Sequence, residues 1–381
     1  MRVKIESFLR EVCEKTTKNS EYPVLTSSKS GLFLQSDYFN KQVASTDNTG
    51  YKIIKKGQFT YRAMSDTGEF YPNMLECVDV GIVSPAYPVF EIFQTDLIIP
   101  EYLKYYFKSN AFQHAISSFA QGSTRTSVKF NKLKTASIDL PSKQEQTNIL
   151  RLLKKAETLI ASRQQELQKL DDLVKARFVE MFGTLDNPAR QFEYFTLKEL
   201  CSKITDGKHG GCIQESGTQR YFVGAREIYD DEVHYDTAPE ISIADFEKDY
   251  KRCNLEIGDF LIVNTGATIG KSAIASDYRT EKTLLQKSVA LLKVKRELLD
   301  PVFLQWCYRV NANMYMVESA SAQPNLLLSK INSTKIYVPE IELQSQFSSF
   351  VEQVDKSKFV VQQALDKAQL FFDSLMQQYF G

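Results

Sequence analysis

Two stretches of this chain, 198 residues apart, are written on one template. Phe178-Val179-Glu180-Met181-Phe182-Gly183 closes the first and Met376-Gln377-Gln378-Tyr379-Phe380-Gly381 the second. The offset holds back through Pro141 and Pro339 to Ser123 and Ser321 without a gap. Residues 142–182 and their counterparts read as long helices. Apolar residues recur at alternating steps of four and three: Ile149, Leu153, Ala156, Ile160, then Arg163, Leu167, Leu170, Val174, then Arg177 and Met181. The same positions in the repeat hold Phe347, Val351, Val354, Lys358, Val361, Leu365, Ala368, Phe372, Leu375 and Tyr379. The polar exceptions do not coincide: Lys358 stands where the first copy has Ile160, and Arg163 where the second has Val361. A sustained heptad seam predicts a coiled coil, and at 1.5 Å per residue each helix runs to about 60 Å. A seam of that length needs a cover, and the obvious cover is the other copy. The long period predicts an internally repeated, pseudo-two-fold molecule.

Each helix is entered in the same way. Ile138-Asp139-Leu140-Pro141 and Ile336-Tyr337-Val338-Pro339 read as short strands ended by proline, with helix beginning just after. Ahead of them lie two segments of different sequence, both rich in short Tyr, Phe, Val and Ile runs broken by Gly, Asp and Asn, which predicts mixed α/β or β-rich domains. Their openings correspond weakly. Phe8-Leu9-Arg10-Glu11-Val12-Cys13 resembles Thr196-Leu197-Lys198-Glu199-Leu200-Cys201 at an offset of 188, which would make the second domain longer by 10 residues (198 − 188). The organisation expected is a first domain over 1–140, a long helix over 141–183, a polar linker over 184–194, a second domain over 195–338 and a second long helix over 339–381. The fold class is α+β, with the two mixed domains separated by an antiparallel two-helix coiled coil.

At 381 residues the chain is too long for one core. Its 43% hydrophobic and 25% charged content are those of a globular protein. No apolar stretch is long enough to cross a bilayer and no signal peptide is evident at Met1-Arg2-Val3-Lys4, so a cytoplasmic location is expected. Six cysteines without Cys-x-x-Cys spacing read as reduced thiols, with no zinc site or disulfide framework. A net charge of zero weighs against a protein that grips nucleic acid alone.

Signs of catalysis are sparse. The three histidines, His114, His209 and His234, lack metal-ligand spacing, and no Gly-x-Ser-x-Gly elbow occurs. Gly266-Ala267-Thr268-Ile269-Gly270-Lys271-Ser272 is one residue short of a phosphate-binding P-loop, which alters the ring of amides that cradles phosphate. A strand–turn–strand presenting Lys271 is the better reading. Asn-Pro-Pro-Tyr, which would hold a flipped adenine, is absent. The loops carry more. Gln121 to Phe130, with Arg125 and Lys129, is small, polar and cationic, suited to phosphates, although such a loop could equally pack the domain on its helix. Thr205-Asp206-Gly207-Lys208-His209 reads as an exposed turn from which Lys208 and His209 could project. Tyr61 and Arg62 follow Gly57-Gln58-Phe59 as Asn264 and Thr265 follow Gly258-Asp259-Phe260; arginine suits guanine edges and asparagine adenine edges. With Lys29 and Arg226 these make up the candidate DNA contacts.

Taken in order, and duplicated, these pieces resemble the specificity subunit of type I restriction–modification systems across essentially the full length. The resemblance rests on the loop followed by Ile-x-Leu-Pro and the Gln144-Glu145-Gln146 helix start, and on the long helices ending in Met181-Phe182-Gly183 and Tyr379-Phe380-Gly381. It rests also on Thr205-Asp206-Gly207-Lys208-His209 and on the run Gly258 to Lys271. Leu343 departs from it, standing where the family usually has the glutamate of its Glu-Gln pair, with Gln344 kept.

The resemblance implies two target-recognition domains, each reading one half of a split double-stranded DNA sequence, held apart by the helices. A rigid coil that fixes the separation of two readers makes the unread spacer a geometric ruler. It implies modification subunits carrying S-adenosylmethionine-dependent adenine methylation and restriction subunits driven by ATP, while this chain itself is non-catalytic, with no cofactor, metal or membrane partner of its own. Flipping an adenine needs a catalytic pocket, which the partners would supply. Two other readings stay open on the residues alone: a coiled-coil adaptor whose domains bind proteins, and a nucleotide-dependent enzyme using the loop around Lys271.

Overall fold

The computed structural model describes residues 1–38, 45–119, 126–311, 314 and 325–381. Two helices of 40 residues dominate it, Lys143–Phe182 and Ile341–Phe380. The chain divides into two compact units, Met1–Gln164 with Gln362–Gly381, and Gln165–Val361. Each unit therefore contains half of each long helix.

In the first unit the strand Arg2–Lys4 pairs antiparallel with Ser137–Asp139, placing Val3 opposite Ile138 just before the first long helix. A four-stranded sheet follows in the order Leu9–Val12, Val89–Ile92, Phe59–Thr60, Asn73–Met74. Phe59, Tyr61 and Phe90 on one face join a core that includes Leu153 and Ala156 of the first long helix and Leu375 and Phe380 of the second. Rings from the short helix Pro100–Tyr106 reach the second long helix: Tyr102 lies 4.9 Å from Phe380 and Tyr105 6.4 Å from Phe372.

The second unit repeats this plan. Glu193–Thr196 pairs with Lys335–Val338, placing Phe195 opposite Ile336, and the sheet order is Cys201–Asp206, Val289–Val294, Phe260–Val263, Ser272–Ile274. All four residues of Phe260–Val263 are buried. The alternation explains why: Phe260 and Ile262 face the core shared with the long helices, while Leu261 and Val263 face a second core with Val223, Tyr235 and Leu255. A sheet covered on both faces reads as a continuous apolar run.

Within the second unit the two long helices pair antiparallel, as expected. In the second unit Lys358 Nζ meets Asp171 Oδ1 at 2.7 Å, while Phe347, further back along its helix, meets Phe178 and Phe182, further forward on the other. Along the expected seam Ile149, Leu153, Ala156, Val174, Phe347, Val351, Val354 and Val361 are buried, and Ile160, Leu167, Leu170, Leu365 and Phe372 half-buried. One expected seam position differs. Arg177 is exposed and pairs with Glu180, while Phe178 turns inward. Here the helix packs on its partner and also on Phe303 of the helix Pro301–Val310, 5.5 Å away, so its apolar face is wider than a two-helix seam. Arg163 is half-buried and Lys358 is ion-paired, which accommodates the two polar exceptions.

The front correspondence also differs from expectation. Ile5 N–H donates to Ala136 O as Leu197 N–H donates to Thr334 O, so the offset is 192 (197 − 5) at the front and 198 (334 − 136) at the back. Phe8 thus corresponds to Leu200, both buried, and the second unit gains six residues rather than ten (198 − 192). Similarity around Glu11 and Glu199 suggested the slipped register, yet burial sets the real one.

Each long helix is tied to its domain by a buried glutamine. Gln146 Oε1 accepts from Ile99 N–H at 2.9 Å, and its Nε2 donates to Leu97 O at 2.9 Å and Pro141 O at 3.0 Å. Gln344 repeats the clamp with Asp300 N–H at 2.8 Å, Leu298 O at 3.1 Å and Pro339 O at 2.7 Å. The residue before it differs between copies. Glu145 closes a capping box with Ser142, whereas Leu343 packs against the core. Gln344→Leu should strand the Asp300 N–H and two carbonyls and cost about 2–3 kcal/mol. A thermal or urea melt that does not move would show the clamp to be ornamental.

Candidate nucleic-acid interface

At one end of the second unit's sheet, four loops interlock around Gln286-Lys287-Ser288. Lys208 N–H donates to Leu285 O at 2.7 Å and Lys287 N–H to Lys208 O at 3.0 Å. Gln286 N–H reaches Val223 O, Ala225 N–H reaches Ser288 Oγ at 3.2 Å, and Asn264 N–H reaches Ser288 O at 3.0 Å. Gly207 and Gly224 allow this approach: a Cβ on Gly207 would strike the Leu285 carbonyl, and one on Gly224 the Gln286 side chain. A fifth segment closes the cluster, with Leu326 N–H donating to Asn264 O at 2.8 Å and Thr265 Oγ1 3.3 Å from Asn325 Oδ1.

The candidate residues of this unit separate into two groups. Arg226 and Lys271 are exposed, and so is Lys287, which sequence reasoning missed. Lys287 was legible as the only cation in the polar break between the apolar runs Thr283–Leu285 and Val289–Val294. Lys208 does not project: its ammonium is 2.6 Å from Asp249 and 3.7 Å from Asp245, its side chain is 14% exposed, and the Asp249 contact raises its pKa. The helix Ile243–Cys253 positions that acidic pair one turn apart. His209 is exposed with Nε2 3.1 Å from Asp206. Burial pushes the Asp206 carboxyl up, but bonds from Arg252 and His209 outweigh it and hold it below the ordinary aspartate range. Asn264 is buried and Thr265 half-buried. Lys271 follows a tight turn in which Gly270 N–H donates to Val263 O, and it leads into the strand Ser272–Ile274. A strand where a P-loop has a helix supplies no helix N-terminus for phosphate.

The first unit builds the corresponding place from other residues. Val128 N–H donates to Ala63 O at 3.0 Å, as Leu326 does to Asn264. Asn264 and Thr265 therefore match Ala63 and Met64, two residues beyond Tyr61 and Arg62. Tyr61 is fully buried with its hydroxyl on Val128 O and has no surface to present. Arg62 lies 3.8 Å from Asp66, and Lys29 3.6 Å from Glu69 and over the Tyr71 ring. Tyr71, and behind it Glu69, hold the Lys29 ammonium above its ordinary value. Lys29, Arg62, Tyr71 and Tyr87 line a cleft of about 780 Å³. Lys129 is exposed and directly precedes the short helix Phe130–Leu133. Arg125, and the stretch Ser319 to Pro324 of the matching loop, lie outside the described residues.

Both places combine cations, amides and hydroxyls at loop ends of a rigid sheet, the chemistry that contacts phosphates and base edges. Among the described residues no group of His, Cys, Asp or Glu could hold a metal ion, and no helix is long and apolar enough to cross a membrane.

A model of the type I restriction modification DNA specificity domain matches the chain twice, over residues 6–172 and 189–367. Among solved structures the chain is similar to a type I restriction–modification system S subunit from M. genitalium, at 15% identity and a TM-score of 0.54, covering 100% of this chain and 96% of that one. It is similar as well to a chain from work on complex assembly and conformational transition of the type I R-M system, at 14% identity and a TM-score of 0.63, covering 100% and 97%. At these identities the likeness is one of fold.

Proposed function

The chain belongs to the type I restriction modification DNA specificity family, and from that premise we propose that each unit reads one half of a split duplex target. It is the DNA sequence-specificity subunit of such a system. One observation carries the two-part reading: the scaffold is repeated strand for strand while the loop faces differ. The strands Phe59–Thr60 and Phe260–Val263 and their closing segments correspond. The loops after them hold Arg62 and Asp66 in one unit and Asn264, Thr265 and Lys271 in the other. Equal supports with unlike contact surfaces suit two unlike half-sites.

In this reading the paired long helices set the permitted spacer between half-sites. The chain contributes recognition and assembly without chemistry of its own, and acts in the cytoplasm. Methyltransferase subunits bring S-adenosylmethionine and flip the adenine, and restriction subunits bring ATP-driven cleavage. Exchanging residues 195–320 for the matching segment of another such subunit should change one half of the methylated motif and leave the other half intact. Methylome sequencing of a host carrying the hybrid reads this directly. A change in both halves, or in neither, would refute one reader per unit.

A further inference from the structure

The exposed imidazole of His209 is fixed from behind. Its Nε2 lies 3.1 Å from Asp206 Oδ2. Asp206 is buried; burial pushes its carboxyl up, but the bonds from Arg252 and His209 prevail and keep it ionised. An ionised carboxylate only accepts hydrogen bonds. In the neutral ring the proton therefore sits on Nε2, and Nδ1 is left as an acceptor. Nδ1 has no hydrogen-bond partner among the described residues.

Arg252 anchors the chain of contacts. Its Nε donates to Asp206 O at 3.0 Å and to Gly207 O at 2.9 Å, and a second guanidinium nitrogen bonds Asp206 Oδ1. Backbone and carboxyl of Asp206 are thus both held, with Oδ2 left for the ring. Arg252 itself comes from the last turn of the helix Ile243–Cys253. On the other side Lys287 N–H donates to Lys208 O at 3.0 Å, so the residue just before His209 is tied to the segment that carries the exposed Lys287. The first unit has no histidine at this place: its strand Leu9–Val12 runs on into Cys13-Glu14-Lys15-Thr16-Thr17.

We infer that His209 is a specificity-determining residue of the second unit. Its Nδ1 accepts a hydrogen bond from an exocyclic amino group, adenine N6 or cytosine N4, in the major groove. Asp206 and Arg252 are positioning residues that keep that acceptor outward. The amino groups of adenine and cytosine are donors in that groove, while guanine O6 and thymine O4 are acceptors. An acceptor facing a keto oxygen has no proton to share, so the keto base is refused. This role rests on the reading of one half-site per unit.

Methylome sequencing of a host carrying the chain or a variant, with a thermal melt of each chain, is the test. His209→Ala should relax one position of one half-site, with selectivity there falling about tenfold. His209→Asn, whose amide oxygen stands near the place of Nδ1, should restore the parental base. Asp206→Asn should exchange that base. Arg252 takes the amide oxygen, the amide nitrogen donates to Nε2, and the ring proton moves to Nδ1, now a donor. The preferred base should turn from amino-bearing to keto-bearing, from A or C to G or T. A purely structural Asp206 gives loss without exchange. An unchanged motif in His209→Ala overturns the inference. So does a folded Asp206→Asn chain that keeps the parental base or loses the half-site. If Asp206→Asn does not fold, the other pair decides: recovery in His209→Asn supports the acceptor, and equal relaxation in both overturns it. A parental chain that yields no two-part motif removes the underlying reading of one half-site per unit, a result distinct from all of these.

Discussion

Phe347→Ala is expected to destabilise the second unit by about 3–5 kcal/mol, the range for truncating a buried aromatic. Phe347 is fully buried, and its ring lies 5.3 Å from Phe178, 5.6 Å from Phe182 and 6.3 Å from Trp306. It is where the start of the second long helix, the end of the first and the helix Pro301–Val310 meet, so alanine leaves a cavity that three elements cannot all close. Each ring pair adds about 0.5–1.5 kcal/mol beyond burial. Phe359→Ala, on the same helix but 64% exposed, should stay within about 0.5 kcal/mol of the parent. Urea denaturation of both variants makes the comparison. Similar midpoints would mean that the helices are not held by this seam.

Much of that seam is visible in the sequence because one physical signal, apolar spacing, determines it. Leu153, Ala156, Val351 and Val354 repeat at heptad steps and are buried where they should be. The signal fails where a second neighbour enters. Phe178 is buried and Arg177 is not, since the helix end also faces Phe303, and nothing in the heptad announces a third element. The front of the repeat failed for another reason. The segments around Glu11 and Glu199 look alike as letters, but the inward residues are Ile5 and Phe8 in one copy and Leu197 and Leu200 in the other. A short turn carries too few apolar positions to fix its own register; its backbone bonds to Ala136 and Thr334 do that.

The candidate contacts were legible as residue types and much less so as surfaces. A lysine after Asp-Gly looks as though it must project, yet Asp245 and Asp249, some 40 residues on, draw Lys208 inward. Tyr61 sits at the end of a strand whose alternation points it into the core. Lys287 was passed over because the runs flanking Gln286-Lys287-Ser288 are apolar, though that polar break is what places it at the loop end.

These placements lead to a sharp expectation for binding. Arg226, Lys271 and Lys287 are exposed, without carboxylate partners among the described residues, on loops of one unit. If each neutralises one phosphate, their joint replacement by alanine removes three counterion-release contacts, and the slope of log affinity against log salt should become shallower by about 2.7. At about 0.15 M salt the same relation gives a loss of roughly 100-fold in affinity. The loss should be nearly uniform across sequences, since phosphate contacts position the duplex without reading it. Fluorescence anisotropy of labelled duplex with the chain, from about 0.05 to 0.2 M salt, measures both quantities. Lys208→Ala is the informative companion. Its charge is spent on Asp249 and Asp245, so its removal should loosen the turn and leave the salt slope unchanged. If the triple variant keeps the parental slope while Lys208→Ala flattens it, the duplex lies against the turn at Lys208 and the exposed rim is not the surface that meets DNA.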